Sequence, residues 1–237
     1  MRQDDAPPLV IRAVRLEASA RSMAELSRLY AETLGLRARS GAGGLTLSVG
    51  PSEVEFTAAA DDRRPFYHYA LLVPGDRFAA AVDWLIGCGV TLLPVPGTTA
   101  TAFAFDAWDA QACYFEDPAG NIVELIAHRG RDENGAAGRF SPEELTGVSE
   151  IGLVVEDLPG AAEALGTGLG LPVWDGSVAG DLAFVGRQAH TLILTSTARC
   201  WLPTRRRAEI HPLEVTVYGG GSGELTIPGL PYRLIGR

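Results

Sequence analysis

A chain of 237 residues has the length of one large domain or two small ones, and its 46% hydrophobic and 21% charged residues supply a sizeable core and argue against disorder over most of its length. With 20 basic and 29 acidic residues its formal charge is −9, which argues against an electrostatic nucleic-acid binder, since such proteins show a basic face. Every basic residue is Arg; without Lys there is no Schiff-base chemistry, no pyridoxal phosphate attachment and no G-x-x-x-x-G-K phosphate loop. No run approaches the length of an apolar membrane span, and Met1 to Pro8 is polar and acidic, unlike a signal peptide. Cys88, Cys113 and Cys200 are far apart and form no C-x-x-C, the pattern of reduced thiols in a cytoplasmic protein.

In chain order, Val10 to Leu16 alternates like a strand. Ser22-Met23-Ala24-Glu25 fits a capping box opening a helix with the stripe Met23, Leu26, Leu29, Tyr30 and Leu34, stopped at Gly35. Strands follow at Leu45 to Val49 and Glu53 to Phe56. A second segment repeats this order. Phe66 to Val73 is a strand, Asp76 caps a helix that ends at Gly87-Cys88-Gly89, and Pro94 to Ala102 is a loop. Cys113 to Glu116 and Ile122 to Ile126 then flank the tight turn Asp117-Pro118-Ala119-Gly120-Asn121. A third segment has a strand at Ser149 to Val155, a helix opened by Asp157-Leu158-Pro159, and strands at Leu182 to Val185 and Thr191 to Thr195. A remnant after Pro203 offers a strand at His211 to Tyr218, the flexible run Gly219 to Gly223, and Glu224 to Ile227, but no helix.

The spacing is that of a repeat. Ala13 precedes Gly35 by 22 residues, His68 precedes Gly89 by 21, and Glu150 precedes Gly170 by 20. Leu34-Gly35-Leu36 and Leu169-Gly170-Leu171 are the same triplet at matching places. The expected units are 9–60, 65–129 and 148–200, with a linker at 130–147 and a truncated unit at 208–237.

Tyr67-His68-Tyr69-Ala70-Leu71, together with Tyr114-Phe115-Glu116-Asp117-Pro118-Ala119-Gly120-Asn121-Ile122-Val123-Glu124-Leu125, resembles the first strand and closing hairpin of the vicinal oxygen chelate superfamily, whose relatives include glyoxalases, bleomycin resistance proteins and extradiol dioxygenases. The other segments match more weakly, through Leu-Gly-Leu and Gly152 to Leu158. The resemblance implies an α+β fold of tandem βαβββ modules whose mixed sheets curl into a cup, here with a truncated C-terminal half-module, and a divalent metal ion on the cup floor.

The resemblance also implies a ligand set, because the superfamily draws ligands from the first and last strands of paired modules. Carried over, these positions are Ala13, His68, Glu55 and Glu124, of which His68, Glu124 and Glu55 can bind metal. Glu53 lies on the same side of its strand as Glu55 and can take its place, and Glu55 reads equally as a solvated strand residue. One imidazole and two carboxylates suit Fe, Mn, Ni or Zn with positions left for substrate oxygens, whereas ring-cleaving dioxygenases use two His and one carboxylate. The cup is expected between segments one and two, with segment three and the remnant as scaffold. Glu150 stands at the first-strand position of segment three and reads as structural or substrate-contacting, its last-strand counterpart falling near Ile193-Leu194. His128, two pleats beyond Glu124 on the same face, reads as an exposed strand end, with the cup rim as the alternative; His211 reads as structural, Arg205-Arg206-Arg207 as a solvated loop, and Trp108, Trp174 and Trp201 as core or rim packing.

The implied function is a metal-dependent, glyoxalase-like lyase or isomerase that chelates vicinal oxygens of a small molecule, with Glu55 detaching to act as general base. The alternatives are an extradiol-type dioxygenase and a non-catalytic protein that sequesters a small molecule or antibiotic. The implied partner is a small molecule, with no nucleic acid and no membrane, and pairing of modules across a homodimer is one arrangement the resemblance allows. No G-x-G-x-x-G after a strand, G-x-S-x-G or H-E-x-x-H is present.

Overall fold

In the first unit, β1 (Val10–Ala18) turns its apolar alternate residues inward, and the apolar stripe that follows forms α1 (Met23–Ser27), widened into a π-type turn over Arg28–Thr33. β2 (Ala38–Gly41), β3 (Gly44–Val49) and β4 (Ser52–Ala58) complete it. The second unit runs β5 (His68–Val73), α2 (Phe78–Gly87), β6 (Phe103–Phe105), β7 (Ala110–Glu116) and β8 (Ile122–His128). The third runs β9 (Gly147–Val154), α3 (Leu158–Leu169), β10 (Val173–Ser177), β11 (Leu182–Arg187) and β12 (His190–Thr195). The remnant keeps β13 (Leu213–Tyr218), β14 (Gly223–Leu225) and β15 (Tyr232–Gly236) without a helix. This computed structural model describes residues 8–41, 43–60 and 63–237; the leader reading of Met1 to Pro8 falls almost wholly outside the described residues. No helix is long and apolar enough to cross a membrane among the described residues.

Local chemistry explains the element ends. Asp157 caps α3 by accepting from the Gly160 N–H at 3.0 Å, and Gly35 and Gly170 end their helices at positive φ, where a side chain is strained. Two expected caps are different. The Ser22 side chain makes no cap bond; instead Ser19 Oγ accepts from the Ser22 N–H at 3.2 Å. Asp76 does not cap α2 but accepts from the Gly135 N–H at 2.9 Å, tying down the linker. In the β7–β8 turn, Asp117 accepts from the N–H groups of Ala119 and Asn121, from Asn121 Nδ2 and from the Tyr30 hydroxyl, so one buried carboxyl organises the hairpin.

The strands form two curled sheets. One runs β6-β7-β8-β5-β9-β12-β11-β10 and the other β2-β3-β4-β1-β13-β15-β14; they meet where Ile11 pairs with Val148. At the centre of each, two first strands lie antiparallel, β5 against β9 and β1 against β13. Segment two therefore pairs with segment three, and segment one with the remnant; a cup between segments one and two is not formed. The linker makes this pairing reachable. Arg77 holds it by an ion pair to Glu144 at 2.7 Å and by hydrogen bonds to the carbonyls of Ala136 and Gly138, which turns β9 back along β5. One apolar core lies between the helices and the convex faces of the sheets, and a second fills the concave face of the β5–β9 sheet around Phe66, Ala70, Leu72, Ile122, Ile126 and Trp201.

Candidate metal centre

Strand alternation sets the site. His68 opens β5, Glu124 lies in β8 and Glu150 in β9, all facing the concave side of the β5–β9 sheet. Parallel pairing of β5 with β8 sets Ala70 opposite Glu124, and antiparallel pairing of β5 with β9 sets the same Ala70 opposite Glu150. The small Ala70 side chain leaves room for the two carboxylates to converge. One ligand atom from each of His68, Glu124 and Glu150 falls within 4.8 Å of the others, and all three residues are at least 95% buried.

The protonation state follows from the hydrogen bonds. His68 Nδ1 lies 3.0 Å from the carbonyl oxygen of Ile122, which can only accept, so Nδ1 carries the proton and the Nε2 lone pair is bare. That lone pair faces Glu124 Oε2 at 3.5 Å. Burial pushes the imidazole down to about 4, so at neutral pH Nε2 keeps its lone pair and the contact is no ion pair. Burial, then the charge of Glu150, holds Glu124 well above the usual carboxylate range, and burial pushes Glu150 up to about 7. Two buried carboxylates and a neutral imidazole, with no basic side chain among them, are the donor set a divalent cation satisfies; these shifts belong to the chain without one, and a bound ion lowers both carboxyls. Tyr114 stands opposite Glu124 in the β7–β8 pair, and the Thr191 hydroxyl donates to Glu150 Oε1 at 3.4 Å.

Above the donors is a cavity of about 430 Å³. Phe184, Ile193 and Tyr114 give it apolar walls, Trp108 and Trp201 close its sides, and Arg199, ion-paired to Asp181 at 3.0 Å, stands at the mouth. Trp108 packs edge-on against Phe184 and donates from Nε1 to Asp175. Trp201 rides on the segment after β12, which crosses the cup and is clasped by Arg206. That guanidinium lies 3.5 Å from the centre of the Phe66 ring and donates to the Gly120 carbonyl at 2.6 Å.

Of the residues singled out in the sequence, the structure brings His68 and Glu124 together and leaves Glu55 apart. Glu55 lies on β4 in the other sheet, a third exposed and paired with Arg15 at 2.8 Å, so it reaches neither His68 nor Glu124. Glu53 is paired with Arg39 at 2.9 Å. The module that faces segment two is segment three, so Glu150 supplies the first-strand ligand where Ala13 was expected, and the last-strand place expected of Glu55 falls to Ile193. His128 is not an exposed strand end: it is buried, with Nε2 unpartnered among the described residues. Arg206 is likewise a clasp rather than a solvated side chain. His211 is paired with Glu209 at 3.0 Å and lies edge-on to Tyr67, outside the group of His68, Glu124 and Glu150. Tyr114 and Thr191 were not singled out; their only sequence signal is strand alternation, which places Tyr114 opposite Glu124 and Thr191 opposite Glu150.

No protein-family model and no curated protein matches the sequence. Solved structures match its fold. Glyoxalase I from Zea mays aligns over 96% of this chain and 92% of its own, with a TM-score of 0.54 at 14% identity. A proposed dioxygenase from Bacillus subtilis aligns over 87% of this chain and 69% of its own, with a TM-score of 0.57 at 16% identity.

Proposed function

We propose that this chain, which has the vicinal oxygen chelate fold, is a metal-dependent enzyme of lyase or isomerase type acting on a small molecule with two neighbouring oxygens. The observation that carries the reading is the convergence of His68 Nε2, Glu124 and Glu150 in a buried, apolar-walled cup. When bound there, a divalent ion supplies Lewis-acid stabilisation of charge developing on the substrate oxygens. The Ile122 carbonyl fixes the His68 tautomer so that Nε2 stays a donor. The bond from Thr191 to Glu150 is long, at 3.4 Å, which lets this carboxylate swing and accept or return a proton at Oε1. Trp201 and Phe184 exclude water from the bound molecule. One imidazole with two carboxylates favours this chemistry over oxygen activation, which commonly uses two imidazoles and one carboxylate.

The test is metal analysis of the purified chain after incubation with Mn(II), Ni(II), Zn(II) or Fe(II). The expected result is one ion per chain, with affinity lowered about 10-fold or more in His68→Ala, Glu124→Gln and Glu150→Gln and unchanged in Glu55→Gln. No ion in the unaltered chain, or full retention in Glu150→Gln, overturns the reading. Oxygen uptake with catechols on Fe(II)-loaded protein would favour the dioxygenase, and tight binding of an aromatic ligand by metal-free protein would favour sequestration.

A further inference from the structure

The two sheets repeat one register. In the inner sheet, Ala70 of β5 stands opposite Glu124 of β8 and Glu150 of β9. In the outer sheet, Arg15 of β1 stands opposite Glu55 of β4 and Glu214 of β13. Two residues before Ala70 is His68; two residues before Arg15 is Ala13. Thr191, opposite Glu150, corresponds to Arg233, opposite Glu214. The outer sheet thus has both carboxylates of the inner centre at the same lattice positions. It has a methyl group where the imidazole stands, and a guanidinium where the inner centre has the small Ala70.

That guanidinium bridges the two acids. Arg15 Nε lies 2.8 Å from Glu55 Oε2 and Nη1 lies 3.5 Å from Glu214 Oε1, while Arg233 Nη1 meets the other oxygen of Glu214 at 2.6 Å. Arg233 is held in turn by both oxygens of Glu224. We propose that the outer sheet carries a second copy of the metal centre in which the Arg15 guanidinium permanently takes the place of the divalent cation, so that the chain holds one exchangeable cation site and one built-in cation. The inference rests on the metal reading of His68, Glu124 and Glu150.

Three physical points support it. Two carboxylates brought to one point repel each other unless a cation lies between them, and here each half supplies that need differently. The guanidinium is planar, always charged and able to reach both acids at once, which suits it to replace an ion. The outer concave face is also solvated, with the Glu55 and Glu214 side chains 32% and 22% exposed. A tethered charge there needs none of the burial that the inner centre has.

The test restores the inner residue types in the outer half. Ala13→His/Arg15→Ala/Arg233→Thr recreates the arrangement of His68, Ala70 and Thr191, and Co(II) is the probe, followed by its visible absorption and by equilibrium dialysis. The expected result is one more Co(II) per chain in this variant than in the unaltered chain, kept when His68→Ala is added. No additional Co(II) in a variant with the native circular dichroism spectrum overturns the proposal. If the unaltered chain binds none and the restored variant binds one, the reading of the inner centre fails and takes the exchangeable site with it, and only the replacement of a cation by Arg15 in the outer sheet is left. Should the triple variant not fold, Arg15→Ala in the His68→Ala background decides. Its melting temperature should rise on adding Mn(II), while Arg15→Lys in the same background should not respond; equal responses overturn the proposal.

Discussion

The indole of Trp201 lies over the imidazole of His68, ring centroids 4.9 Å apart, and it reaches that place because residue 152 has no side chain: a Cβ on Gly152 would meet Trp201 Cη2 at 2.5 Å. Gly152→Ala therefore has to push the indole off the imidazole. The expected outcome is a loss of about 1–3 kcal/mol in unfolding free energy, a red shift of tryptophan emission and weaker substrate binding, with metal content unchanged because Trp201 supplies no donor. Denaturant unfolding and metal analysis on the same preparation check this; loss of the metal would show that the indole holds the donors rather than covering them.

Arg206 carries the covering segment. Arg206→Ala removes both its stack on Phe66 and its bond to the Gly120 carbonyl, an expected loss of about 1–3 kcal/mol. The substitution should also speed proteolytic cleavage between residues 197 and 209. Arg206→Lys keeps the charge but not the planar face, so its cleavage rate should fall between the two. Equal rates in all three proteins would mean that the segment is held elsewhere.

Ile193 stands opposite Gly152 as Glu124 stands opposite Ala70, so it occupies the fourth ligand position with a side chain that cannot bind metal. Ile193→Glu places a third carboxyl in the buried cup. Without metal the variant should be destabilised by about 3–5 kcal/mol. With saturating Mn(II) or Ni(II), much of that loss should be recovered and the metal held more tightly than in the unaltered chain. Activity should fall, since the added ligand takes a coordination position that a substrate oxygen needs. Thermal melts with and without metal measure the first effect, and a metal-independent loss of stability would contradict the register.

Asp117 gives a pH dependence of known sign. Burial pushes its carboxyl up to about 6 despite the hydrogen bonds from Asn121, Tyr30 and Ala119. The folded chain therefore holds this proton more tightly than the unfolded chain does. The corresponding stability is fully present below about pH 4 and is lost as the pH rises through 6, amounting to about 3 kcal/mol over that window. Asp117→Asn has no such proton. The difference in unfolding free energy between the two proteins, measured from pH 4 to 8, should change in that window and be flat above it; a difference that grows in favour of the unaltered chain as pH rises would refute the assignment.

Much of this architecture is legible in the residues because the repeat is written in local chemistry. The glycines that stop the helices, Gly35, Gly89 and Gly170, all have positive φ, and the Asp117 to Asn121 turn forces its hairpin. The short strands β2, β6 and β10 are not legible, since they lie at sheet edges, and β2 and β10 are largely exposed and have no inward-facing stripe. β15 is hidden by Pro228 and Pro231 just before it. The partner choice of the modules is not legible either, because β1, β5, β9 and β13 all present an apolar face and nothing local says which two will pair. That single unknown misplaces Glu55. In its own strand pair it stands opposite Arg15, in the other sheet. Glu150 was visible as a first-strand acid, and only the β5–β9 pairing turns it into a neighbour of His68.

All the side chains that line the cavity lie between His68 and Leu202 of one chain. The consequence is kinetic. For the proposed reaction, turnover per chain should therefore stay constant as the protein is diluted. In mixtures of intact chains with chains disabled at Glu124, total activity should fall in direct proportion to the disabled fraction; a departure from proportionality would show that a neighbouring chain contributes to the site.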